Sequence, residues 1–101
     1  MDNLLGNFNF IMFKIPGCTD CYKMINLFDS IGFINMYEVI NITNIVDVEY
    51  EDAVTYLQNK TNSKMFPMVF INGSYIGNYK DVLKQIELGT FHMTLKHELD
   101  F

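Results

Sequence analysis

Residues 8–32 read FNFIMFKIPGCTDCYKMINLFDSIG, and this stretch decides the fold. Residues 8–15, FNFIMFKI, form an apolar, aromatic-rich run of the kind that is buried on both faces of a sheet. Pro16-Gly17 breaks it. From Thr19 onward Cys21, Met24, Ile25, Leu27, Phe28 and Ile31 recur at helical spacing, and Gly32 supplies a stop. The reading is strand, turn, helix, with both cysteines of the chain, Cys18 and Cys21, at the junction.

Outward from this unit the pattern repeats. Residues 36–42 (MYEVINI) alternate as a second strand. Residues 50–60 place Tyr50, Ala53, Val54 and Leu57 on one helical face, with Asp47, Glu49, Glu51 and Asp52 at the N-terminal end that favours negative charge. Residues 68–71 (MVFI) and 74–76 flank Asn72-Gly73, the preferred pair for a two-residue hairpin turn. Asn78 can cap a third helix over residues 79–88, with Asp81 three positions on, Val82, Leu83 and Ile86 facing inward, and Gly89 at the end. Residues 90–101 are compatible with a short fourth helix. The order β-α-β-α-β-β-α belongs to the α/β class. A right-handed crossover makes the first two strands parallel and the hairpin makes the last two antiparallel. The expected result is a thioredoxin-like fold, a four-stranded mixed sheet with helices on both faces.

Composition narrows the function. The chain has 101 residues, 50% of them hydrophobic, which suits one domain over residues 1–101. Twelve acidic residues against seven basic ones give a net charge of -5, so phosphate backbones repel the protein and nucleic acid is not an expected partner. No apolar run reaches the roughly 18 residues of a membrane span, and the first residues lack the basic and apolar regions of a signal peptide. A cytoplasmic monomer without membrane contact is expected. One closely spaced cysteine pair in a reducing compartment points to redox chemistry or metal binding.

The position of that pair favours redox work. A cysteine at the start of a helix meets unpaired backbone N–H groups and the positive end of the helix dipole, which stabilise a thiolate below the usual pKa of about 8.5. Cys18 is therefore the expected nucleophile. Cys21, one turn deeper, is placed to attack a mixed disulfide at Cys18 and release the reduced substrate. The competing reading is a pair of ordinary buried thiols. A second element is Phe66-Pro67, where a proline opens a strand. A cis bond there would turn the Phe66 backbone outward to pair with a disulfide-bearing peptide, whereas a trans proline would merely start an edge strand. His92 and His97 could join the cysteines around zinc, but far more chain separates the halves than in a zinc finger. They read as surface histidines, and no metal is expected.

The run GCTDC and the later LQNKTNSKMFPMVFINGSYIGNYKDVLK together resemble a dithiol glutaredoxin, over roughly residues 8–88. The resemblance implies reduction of protein disulfides and glutathione mixed disulfides, with glutathione as reductant. By motif position it assigns the redox roles to Cys18 and Cys21, backbone pairing to Phe66 and Pro67, and a γ-glutamyl pocket to Gly77, Asn78 and Asp81. Lys14, Thr19 and Lys64 complete the implied glutathione contacts. Lys23, Lys60 and Lys80 also fall in or beside the motif segments of this acidic chain. Alternatives are an electron donor dependent on thioredoxin reductase, for example to ribonucleotide reductase; a [2Fe–2S] carrier ligated with glutathione; and a non-catalytic thioredoxin-fold adaptor.

The sequence departs from the family pattern in places. Thr19 and Asp20 stand where proline and tyrosine are usual, and the Asp20 carboxylate opposes thiolate formation, which predicts a more reducing centre. The lysine commonly three residues before the first cysteine is replaced by Ile15, and Lys14 lies one place earlier, a shift that reverses its direction on a strand. Asn78 replaces the second glycine of the turn, and Met65 and Phe66 make the neighbouring loop more apolar than usual. These changes favour protein disulfides as substrates and a reductase as a rival donor.

Overall fold

In the computed structural model the backbone is described for residues 2–99 and side chains for residues 4–96. The elements are α1 (Asp2–Asn7), β1 (Phe10–Lys14), α2 (Thr19–Ser30), β2 (Glu38–Asn41), a 3-10 turn (Ile42–Asn44), α3 (Tyr50–Thr61), β3 (Met68–Ile71), β4 (Ser74–Gly77), α4 (Tyr79–Leu88) and α5 (Thr90–Leu99). The sheet order is β2-β1-β3-β4. β1 pairs parallel with β2 and antiparallel with β3, and β3 pairs antiparallel with β4. The expected mixed sheet with helices on both faces is present.

The two central strands alternate between two cores, as period-2 strands must. Phe10, Met12, Val69 and Ile71 pack with Met24 and Phe28 of α2, Val82 of α4, and Phe91 and Leu95 of α5. Ile11, Phe13, Met68 and Phe70 face the other way, onto Leu5 of α1 and Ala53 and Leu57 of α3. All eight strand side chains are buried, which is why both runs read as continuous apolar stretches. On the first face Phe10, Phe28, Phe33, Tyr37 and Phe91 form an aromatic cluster, with Phe28 and Phe91 stacked at 5.7 Å between centroids. Each fully buried ring contributes roughly 1.5–3 kcal/mol of transfer free energy.

Several expectations need correction. α1 was not predicted, because a single apolar pair, Leu4-Leu5, carries no helical period; only its packing over Ala53 and Leu57 makes it an element. The tail helix is real and is fixed by Phe91 and Leu95, both fully buried. The strand predicted at 36–42 shortens to Glu38–Asn41, because Asn41 turns its side chain onto the Thr43 N–H and caps the 3-10 turn. Tyr50, expected inward, is exposed at the first turn of α3, and only Val82 of the predicted face of α4 is fully buried. Asn72 and Gly73 both adopt positive φ (50° and 81°), as the two-residue hairpin turn requires.

Tyr37 supplies a pH-dependent part of the packing. Its hydroxyl donates to Asp29 Oδ1 at 2.8 Å, while its ring lies 5.1 Å from that of Phe28. Burial, then the hydrogen bond and charge of Asp29, push its phenol well above the ordinary value. A raised folded-state pKa favours the protonated form, so this contribution is complete below about pH 10 and is lost as pH rises through the folded value. Tyr37→Phe is expected to lower stability by about 1 kcal/mol at neutral pH. It should also flatten the decline above pH 10, measured by urea unfolding at successive pH values.

Candidate active site

The dithiol sits where β1 ends and α2 begins. Pro16 and Gly17, the latter at φ 72°, turn the chain out of the sheet, and Cys18 is the N-cap of α2 with extended backbone angles. Its Sγ accepts a hydrogen bond from the Cys21 N–H at 3.1 Å, the role a serine or aspartate oxygen usually fills. Cys18 and Cys21 are joined as a disulfide, with Cα atoms 5.2 Å apart. Cys21 is buried at 1% exposure while Cys18 is only partly covered, so attack from outside can reach Cys18 alone. A donor N–H and a helix N-terminus facing a cysteine sulfur are the features that stabilise a thiolate in general.

The Phe66–Pro67 loop closes over this sulfur. The bond is cis, Pro67 is buried, and the Phe66 carbonyl oxygen lies 3.7 Å from Cys18 Sγ. Across from it, Asn78 and Asp81 form a reciprocal capping box at the start of α4. Asn78 Oδ1 accepts from the Asp81 N–H and Asp81 Oδ2 accepts from the Asn78 N–H, each at 3.1 Å. Gly77 packs so closely on Asp81 that a Cβ there would lie 2.9 Å from Asp81 Oδ2. The capping expected of Asn78 is thus met, and the Asp81 carboxylate is already engaged by the Asn78 backbone.

The basic residues separate into two groups. Strand alternation puts Lys14 on the α2 face with Phe10 and Met12, where its Nζ stands 5.5 Å above the Tyr22 ring. Lys23 stands 5.9 Å above the Tyr79 ring and reaches Asp20 at 3.9 Å, which offsets part of the negative charge beside the dithiol. Thr19 is exposed in the first turn of α2, and Lys64 and Lys80 are exposed. Lys60 stands over Tyr56 of α3. His92 lies against Phe33, 5.5 Å between ring centroids, and the side chain of His97 falls outside the described residues. Among the described residues no group of three or more His, Cys, Asp or Glu side chains is placed to hold a metal.

Sequence reading missed Ser63, Tyr75 and the cross-loop contact of Met65. The Ser63 Oγ accepts from the Met65 N–H at 3.1 Å, and Asn78 Nδ2 donates to Met65 Sδ at 3.6 Å. Burial pushes the Tyr75 phenol up; a hydrogen bond with Ser63 opposes this and the Asp81 charge adds to it. The only signal for Tyr75 was its place in the hairpin one step before Ile76-Gly77. Two surface hollows lie elsewhere. One of about 420 Å³ is lined by Phe10, Tyr37 and Glu38 at the far end of β1, and one of about 520 Å³ by Leu4, Ile40 and Val46. Neither includes a residue of the dithiol or the Pro67 loop, as befits a sulfur that must meet another disulfide at the surface.

The glutaredoxin family model matches residues 10–76, more than half of the chain and both cysteines. None of the curated proteins matches by sequence. Among solved structures the chain is similar to the holo form of glutaredoxin C1 from Populus tremula x tremuloides, with TM-score 0.81, 21% identity and coverage of 95% of this chain and 91% of that one. It is similar to the buckwheat glutaredoxin-glutathione complex, with TM-score 0.81, 24% identity and coverage of 94% and 83%. Oxidized glutaredoxin 2 from Chlamydomonas reinhardtii gives TM-score 0.82 at 22% identity, over 98% and 90%. At these identities the structures speak for the fold, while the family model reaches the dithiol itself. A Cys-x-x-Cys pair at this position supports thiol-disulfide oxidoreductase chemistry in general. The chain belongs to the glutaredoxin family, and its Cys18–Cys21 pair makes it a dithiol glutaredoxin.

Proposed function

We propose that the protein reduces protein disulfides and glutathione mixed disulfides through Cys18 and Cys21, and is returned to the dithiol by glutathione. The observation that carries this reading is the reachable Cys18 sulfur at the helix start, with Cys21 buried behind it and the Phe66 carbonyl 3.7 Å away. Cys18 thiolate attacks one sulfur of the substrate disulfide, forming a mixed disulfide and releasing the first substrate thiolate. Cys21 thiolate then attacks the Cys18 sulfur, releasing the second and leaving the Cys18–Cys21 disulfide. Two glutathione thiols reverse the cycle and leave as glutathione disulfide. The Phe66 backbone aligns the incoming peptide.

Glutathione as donor is supported by family membership and by the buckwheat neighbour, which was solved as a glutathione complex. In this chain Lys14, Thr19, Lys64, Gly77, Asn78 and Asp81 are the residues we assign to that contact, in a reducing compartment such as the cytoplasm. A second reading, a thioredoxin reductase as donor, is favoured by the engagement of Asn78 with Met65 and of Asp81 with Asn78. Asp20 lowers the potential in either case, though less than its charge alone implies, because Lys23 is paired with it.

The deciding experiment is a coupled assay with two donor systems, glutathione with its reductase and NADPH with thioredoxin reductase. Turnover of a protein disulfide with the first system is the expected result. Turnover only with the second removes the glutathione assignment and retains the dithiol.

A further inference from the structure

The Met65 contact has consequences for which disulfides the protein accepts. Met65 is half-exposed, at 51%, and immediately precedes the residue whose carbonyl faces Cys18. Its conformation is held at both ends, by the Met65 N–H on Ser63 Oγ and by the Asn78 amide on its sulfur. Asn78 is held in turn: its Oδ1 accepts from the Asp81 N–H, its own N–H donates to Asp81 Oδ2, and its carbonyl accepts from the Val82 N–H at 3.0 Å. The Met65 thioether thereby bridges the Pro67 loop and the start of α4.

Two physical effects follow. The Asn78 amide, otherwise available to a polar or carboxylate group at the start of α4, is spent on a sulfur acceptor. A charged substrate must break that contact to use it. The thioether itself offers a soft, polarisable surface that makes favourable contacts with aromatic and apolar groups. A substrate whose cysteine lies on Cys18 and whose backbone runs along Phe66 brings its neighbouring residue to this surface.

We infer that Met65 is a specificity-determining residue. It favours protein disulfides with an apolar or aromatic residue beside the reactive cysteine over the small, charged mixed disulfides of glutathione. The inference rests on the disulfide-exchange function proposed above and names the substrate class within it.

The test uses the full-length, pre-reduced protein under single-turnover conditions with two probes. One is a peptide disulfide with phenylalanine beside the cysteine, and the other is the mixed disulfide of glutathione with the same reporter thiol. Met65→Ser should weaken apparent affinity for the phenylalanine peptide roughly tenfold, with the loss in affinity rather than in the limiting rate. The same variant should improve affinity for the glutathione disulfide. Met65→Leu retains the apolar surface but frees the Asn78 amide, so it should keep the peptide affinity and gain the glutathione disulfide. A selectivity ratio unmoved by both substitutions overturns the inference and leaves the exchange function standing. Reduction of neither probe by the unsubstituted protein overturns both.

Discussion

Cys18→Ser is expected to bring disulfide reduction down to the uncatalysed background, a fall on the order of 10³-fold or more. The reason is the division of exposure between the two sulfurs. Cys21 is 1% exposed and lies one turn inside α2, so an external disulfide cannot reach it when Cys18 is gone. Cys21→Ser has a different signature. Cys18 still attacks, but no thiol resolves the product, and a covalent adduct accumulates on protein disulfides. Intact-mass measurement after mixing with a model disulfide distinguishes them: Cys18→Ser carries no adduct and Cys21→Ser carries one equivalent. Serine preserves the N-cap at position 18, since its hydroxyl accepts the same Cys21 N–H. Lost activity with an unfolding midpoint equal to that of the reduced parent therefore reports chemistry, and residual turnover near the parental rate would remove Cys18 from its role.

The largest effect on stability is expected at Gly77, which lies beyond the redox pair in sequence. Its φ of 152° is a conformation that L side chains rarely adopt, and a Cβ there would meet the Asp81 side chain, with Cγ 3.1 Å away. Backbone strain of this kind costs about 1–3 kcal/mol, and displacing Asp81 breaks a capping box worth about 1 kcal/mol more. Gly77→Ala should lower the melting temperature by roughly 10 °C or more. The double variant Gly77→Ala/Asp81→Gly separates the two causes, because it removes the Asp81 Cβ that the added methyl would strike first and leaves the φ penalty. Partial recovery is the expected outcome. A single variant within about 0.5 kcal/mol of the parent would refute the packing argument.

Much of the fold was legible in the sequence because central strands buried on both faces announce themselves as unbroken apolar runs. FIMFK and MVFI, β1 and β3, occupy the middle of the sheet, and no solvated face interrupts them. The hairpin was legible for a similar local reason, since Asn72-Gly73 suits positive φ at both positions. The dithiol was legible because Pro16-Gly17 and the helical period after Thr19 flank it within one short stretch. α1 was not, because its role depends on Leu5 joining a buried cluster with Ala53 and Leu57 of α3, far along the chain. The Ser63–Tyr75 and Met65–Asn78 contacts were likewise hidden, each pairing side chains from segments that only the sheet brings together.

The sequence by itself determined the α/β order, the two apolar strands and the place of Cys18 and Cys21 at a helix start, because all three follow from short-range periodicity and turn chemistry. Only the tertiary structure decided what surrounds the dithiol. Strand alternation sent Lys14 to the α2 side, the capping box occupied Asp81, Lys23 came to offset Asp20, and Met65 was laid against Asn78. The Met65–Asn78 contact joins segments that only the sheet brings together, whereas the capping box and the Lys23–Asp20 pair are contacts three residues apart whose setting near the dithiol the fold supplies. A linear pattern can name such residues, but the three-dimensional arrangement assigns their partners.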